Sequence, residues 1–230
     1  MSARSNLRLL GVAFLIQGIG SFISGAILLE PLIVQDNIIE TMTNIAGNLF
    51  QVRANIVGEM ITGFGIIMLG SFLYIILRKE HEGIALTALG LYVMEAVILG
   101  VSRIGTMILL RVSQESVVMG HPERLVELAQ LCLEFQDFGY ELLMLPFAVG
   151  AVMFYVLLYR SGIIPRKLNY IGLFAAPMSV VGTLLSLFDI QVPMILYIVM
   201  FLPNLFFEVG TGLWLVLKGG SEGVLSSTIN

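Results

Sequence analysis

Residues 54–110 read ANIVGEMITGFGIIMLGSFLYIILRKEHEGIALTALGLYVMEAVILGVSRIGTMILL. Two apolar runs, 54–77 and 83–110, each exceed the roughly 20 residues that a membrane helix needs. Between them Arg78-Lys79-Glu80-His81-Glu82 forms a short charged turn. The stretch therefore reads as two membrane helices joined by a connection that stays in water.

Four further runs on either side have the same character: 7–29, 138–159, 168–188 and 193–217. Pro193 opens the last without harm, because the first turn of a helix has no use for its missing N–H. The first run follows Arg4 and Arg8 and contains Ser24-Gly25-Ala26, as a signal peptide might be built. It is too long for a signal-peptide core and is expected to be a retained helix. Over 230 residues, 57% are hydrophobic and 12% charged, where a soluble domain carries about 25% charged residues. So little charge cannot cover a water-soluble particle, which excludes a soluble enzyme and a disordered chain. A net charge of −4 gives no basic footprint for nucleic acid. One cysteine and two histidines rule out a disulfide framework and leave little for a metal or cofactor, and none is expected. No linker divides the chain, so residues 1–230 read as one all-α transmembrane domain of six spans.

The basic residues orient it. With the N-terminus inside, the cytoplasmic side holds Arg4, Arg8, Arg78, Lys79, Arg160, Arg166, Lys167 and Lys218, and the outer side only Arg53, Arg111 and Arg124. This bias places both termini in the cytoplasm of a bacterial cell and the bundle in its plasma membrane. Polar residues at Asn37, Thr41, Asn44, Asn48, Gln51, Asn55, Glu59 and Thr62 recur at helical spacing. They predict one helix running from outer water into the second span. After His121-Pro122, the series Glu123, Glu127, Gln130, Glu134, Asp137 and Glu141 does the same into the fourth. Helices 2 and 4 are thus expected to extend beyond the outer leaflet.

Five charges fall within the spans: Glu59, Glu95, Arg103, Glu141 and Glu208. Each costs roughly 2.5–3.5 kcal/mol at a helix centre, so such residues face a bundle interior or a wet cavity and pair with one another. Arg103 with Glu59 or Glu141 would make a structural ion pair holding spans together. One arginine cannot neutralise four acids, which favours a polar cavity open outward and floored by Glu95 and Glu208. Asn55-x-x-x-Glu59-x-x-Thr62-Gly63 and Asn204-x-x-x-Glu208-x-x-Thr211-Gly212 repeat one pattern on two spans that run in the same direction. The ligand-binding set is then Asn55, Glu59, Glu95, Arg103, Glu141, Asn204, Glu208 and Thr211. Phosphate-binding, nucleophile-elbow, zinc-protease and dinucleotide motifs are missing from any usable context.

The segment Leu158-Tyr-Arg-Ser-Gly-Ile-Ile-Pro-Arg-Lys-Leu-Asn-Tyr-Ile-Gly172 resembles a signature of a bacterial membrane-protein family, domain-of-unknown-function family 4386. Leu73-Tyr-Ile-Ile-Leu-Arg78, Tyr92-Val-Met-Glu95-Ala96, Leu205-Phe-Phe-Glu208 and Gly212-Leu-Trp-Leu-Val-Leu-Lys218 are similar to the same family. The resemblance implies several spans and no settled activity. It matches Arg53 to an arginine before the second span and Glu95 to a third-span glutamate. Tyr92 stands near where that family usually has an arginine.

Three functions fit these residues. The first is binding or transport of a lipid or small amphipathic ligand taken from the outer side, for which a homo-oligomer would supply the helices that a six-span chain lacks. The second is an intramembrane isomerase or cyclase acting on a lipid or isoprenoid, with Glu95 or Glu208 as its acid. The third is a structural, sensory or immunity protein without turnover.

Overall fold

A computed structural model describes residues 3–219, with side chains from residue 5 onward. Residues 1, 2 and 220–230 of the expected single domain, and the side chain of Arg4, lie outside the described residues. All regular structure among the described residues is helical. Helix α1 (Ala3–Phe22) widens into a π-helical turn, Ile23–Leu29, and ends in a 3-10 turn, Glu30–Leu32. Then come α2 (Ile38–Gly47), α3 (Leu49–Met119), α4 (Glu123–Ser161), α5 (Arg166–Leu187) and α6 (Met194–Lys218).

Five of these helices are long and apolar enough to cross a membrane. The 71 residues of α3 would span about 107 Å if straight, more than three times the hydrocarbon core. They do not run straight. His81 has extended backbone (φ −167°, ψ 102°) and breaks α3 into two arms, 49–80 and 82–119. Its Nδ1 accepts the Ile84 N–H at 3.2 Å, so the imidazole caps the second arm as well as interrupting the first. Gly70 lies against Tyr92, and Gly63 against Leu99. Both pairs lie at equal distances on either side of His81, as in an antiparallel hairpin. The charged turn expected from the sequence is its apex.

One expectation needs correction. The polar series from Asn37 to Thr62 does not ride a single helix, because α2 ends at Gly47 and α3 begins afresh at Leu49. Gly47 favours helix poorly. Asn48 leaves helical geometry (φ −118°, ψ 47°), and its side chain donates to the Asn44 carbonyl at 2.8 Å. Asn37 opens α2 as its cap, accepting from the Glu40 N–H at 3.1 Å. Met42 and Ile45 of α2 are buried with Val52, Leu109 and Leu110 of α3 and with Ala129 and Cys132 of α4. This small cluster is separate from the main core.

The helices close a ring. α1 packs on α3 and α6, α6 on α5, α5 on α4, and α4 on α3. Arg8, Arg78, Lys79, Arg160, Arg166, Lys167 and Lys218 fall at the end that holds the hairpin apex. The half of the ring nearer that end is filled. Phe14, Tyr92, Phe154, Tyr155 and Phe207 form an aromatic layer with ring centroids 4.2–6.4 Å apart. Outward, Phe64, Val97, Ile104, Phe174 and Phe206 are all more than half exposed, a surface suited to lipid and not to water. The protein is a helical membrane protein.

Between helices in lipid the driving force is close packing, not removal of apolar surface from water. The α1–α6 crossing shows this most directly. A Cβ on Gly11 would lie 2.8 Å from the Gly212 carbonyl and from the Val216 nitrogen, backbone atoms that cannot rotate aside. Gly11→Val should therefore lower stability by about 1–3 kcal/mol. Gly25→Ala, where a Cβ meets nothing within 4 Å, should leave it unchanged. Thermal unfolding of the two variants in detergent checks the contrast.

Candidate functional site

Above the aromatic layer the ring opens into a cavity of about 620 Å³. Glu59 and Glu95 reach it from the two arms of α3, Arg103 from the second arm, Glu141 from α4, and Asn204 and Glu208 from α6. Six residues of the expected set thus meet in one space, although they come from elements far apart in the chain. Glu59, Glu95, Arg103, Asn204 and Glu208 are all at least 94% buried. The walls between them are apolar: Ile66, Leu99, Leu143, Phe147 and Phe201.

The cavity has a floor and a mouth. At the floor the Tyr155 hydroxyl donates to Glu208 Oε1 at 3.3 Å, with Gln17 beside the same carboxylate. Gly18 lets α1 come within van der Waals reach of Glu208. At mid-height Arg103 Nε donates to Ser102 Oγ at 3.3 Å, and Glu59 is its foremost electrostatic neighbour, with Asp137 also near. Glu141 accepts from the Ser186 hydroxyl of α5 at 2.7 Å. The mouth adds Glu30, Asp137, Tyr140 and Tyr197.

Asn55 and Thr211 lie off the cavity. Asn55 is fully buried and donates to the Ser24 carbonyl at 2.7 Å. Gln51, one turn away, donates to the Leu28 carbonyl at 2.8 Å. Both acceptors belong to the π-helical turn, Ile23–Leu29. Asn204 behaves like Asn55 on its own helix, donating to the Ala175 carbonyl of α5 at 3.4 Å and to Ser179 Oγ. In each half of the repeated pattern, then, the asparagine ties its helix to a neighbour and the glutamate one turn further on faces the cavity. Thr211 is buried at the α1–α6 contact with its hydroxyl unpartnered.

Several site residues were not singled out from sequence. Gln17 was legible in principle, being the one long polar side chain inside the first apolar run. Asp137 belonged to the polar series leading into α4, and Gln136 sits next to it, accepting from Thr106 Oγ1 at 2.6 Å. Tyr155 carries no signal, since a tyrosine among apolar residues reads as packing.

A family model described as "Domain of unknown function (DUF4386)" matches residues 9–219. The chain belongs to the DUF4386 family. No curated protein and no solved structure matches it. The segment 158–172, which carries the resemblance most specifically, builds the α4–α5 connection of this DUF4386 protein. Gly162 takes the left-handed conformation that ends α4 (φ 64°), Ile163 and Ile164 are buried beneath the turn, and Asn169 donates back to the Ile164 carbonyl at 3.2 Å. The most recognisable motif is therefore a structural corner at the filled end of the ring, away from the cavity.

If Asn55 serves the π-helical turn, its loss should register as instability. Asn55→Ala removes this buried tie to the Ser24 carbonyl and should cost about 0.5–1.5 kcal/mol. Glu59→Gln, which keeps shape and removes only charge, should cost less. Denaturation midpoints of the two purified variants test this order.

Proposed function

We propose that the protein binds an amphipathic ligand in this cavity, from the outer side of a bacterial plasma membrane that it crosses six times with both termini in the cytoplasm. One observation carries the reading: the cavity is polar at floor and mouth, apolar along its walls, and open at the side. The π-helical turn packs on α3 and on the 3-10 turn that follows it, while α6 packs on Ala3–Phe22 and α5. Residues 194–199 at the start of α6 are all exposed. Phe22 and Ala26 on one flank and Leu202 on the other are exposed as well. Between these flanks a molecule dissolved in the outer leaflet has a path to the cavity that avoids bulk water. About 620 Å³ is the size of a small-ligand site.

Orientation rests on the positive-inside bias of the basic end. The filled aromatic half then lies toward the cytoplasm and the cavity toward the exterior, which favours ligand capture over passage through the protein. Single cysteines placed at Glu59 and Phe201 in a Cys132→Ser background should react with a membrane-impermeant maleimide added to intact cells. A cysteine at Leu158, buried beneath the aromatic layer, should not. Silence at Glu59 and Phe201 would remove the outward-open cavity. Gly25→Trp, filling the side gap, should weaken binding of a fluorescent single-chain amphiphile about tenfold, a loss of about 1.4 kcal/mol, and unchanged binding would refute the lateral path.

A further inference from the structure

The polar groups left over at the floor specify the charge of the ligand. Three side chains that line the cavity each keep a buried oxygen without a hydrogen-bond partner: Gln17 Oε1, Glu95 Oε2 and Asn204 Oδ1. Their residues are 7%, 3% and 5% exposed. For Asn204 the amide nitrogen faces the Ala175 carbonyl, which can only accept, so the oxygen is the atom left over. For Gln17 the nitrogen is the atom suited to the Glu208 carboxylate beside it. Buried polar atoms are nearly always paired, and an orphan calls for an explanation. Here all three orphans are acceptors.

The charges of the walls agree. Six carboxylic acids line the cavity against the single guanidinium of Arg103. Among the described residues no group of three or more His, Cys, Asp or Glu side chains is set to hold a metal ion. A transition-metal ion would thus lack its usual ligand set. A primary ammonium instead brings three N–H donors and no acceptor, and its alkyl chain suits Leu99, Phe147 and Phe201. The rings of Phe147 and Phe201 also favour a cation close to their faces.

Resting on the proposed cavity function, we infer that the ligand is an amphipathic amine, its protonated nitrogen seated among Gln17, Glu95, Asn204 and Glu208 and its apolar chain directed to the side gap. N–H donors matter as much as charge in this arrangement. A quaternary ammonium of equal charge leaves the three acceptors unpartnered, and an anion meets the acids.

The full chain in phosphatidylcholine nanodiscs tests this by calorimetry, read against protein-free nanodiscs, with octylamine at neutral pH, octyltrimethylammonium, octanol and octanoate. Octylamine should bind about tenfold or more tightly than each of the others, and Glu95→Gln should erase most of that preference while octanol binding persists. Persistence of octanol binding shows that the variant cavity is intact. Equal binding of octylamine and octanol by the wild type, or a preference untouched by Glu95→Gln, overturns the amine assignment and leaves the cavity reading standing. Failure of all four compounds to bind overturns the cavity reading itself.

Discussion

Two hydrogen bonds govern the half of the molecule away from the hairpin apex: Asn55 to the Ser24 carbonyl and Gln51 to the Leu28 carbonyl. Both tie the first arm of α3 to the π-helical turn that ends α1, and a buried polar side chain is costly unless it is paired. The end of α1 is thereby held against that arm. α6 therefore has α1 beside it only along Ala3–Phe22, and its first turns stand exposed. The side gap and the height of the cavity both follow from this division of α1 between two neighbours.

The half nearer the hairpin apex obeys a different constraint. Glycines at Gly11 and Gly212 bring backbones together, Gly172 admits the Phe207 ring, and Gly150 admits Tyr92. Aromatic rings then fill the space that the small residues open. Tyr155 belongs to both halves, stacked on Phe207 below and donating to Glu208 above. A dense layer directly beneath a polar floor makes the cavity a closed-ended pocket. It also places the carboxylates of Glu95 and Glu208 where few donors are available to them.

Much of this was legible from residue types and spacing. The hairpin 54–110 was readable because apolar runs too long for one span must be interrupted, and only the 78–82 cluster offers water-seeking groups. Glu59, Glu95, Arg103, Glu141 and Glu208 pointed to an interior because a charge cannot rest against lipid. Asn55 shows where such reading stops. Its place on a polar stripe put it in the ligand-binding set, and the stripe is polar because it serves the backbone of another helix. The break after Gly47 was hidden for a related reason, since the polar spacing continues across it as if the helix did.

The sequence by itself determined the class of structure: apolar helices of membrane length, a turn at the charged cluster 78–82, and a small set of charges that must be kept from lipid. These follow from composition and period, which are properties of each segment alone. Only the tertiary structure decided which polar atoms satisfy one another and which are left over. Gln17, Glu95 and Asn204 come from three helices, and their unpartnered oxygens become a common feature only when those helices are packed. Hydrogen-bond satisfaction is a property of neighbours, and the sequence names no neighbours across the ring.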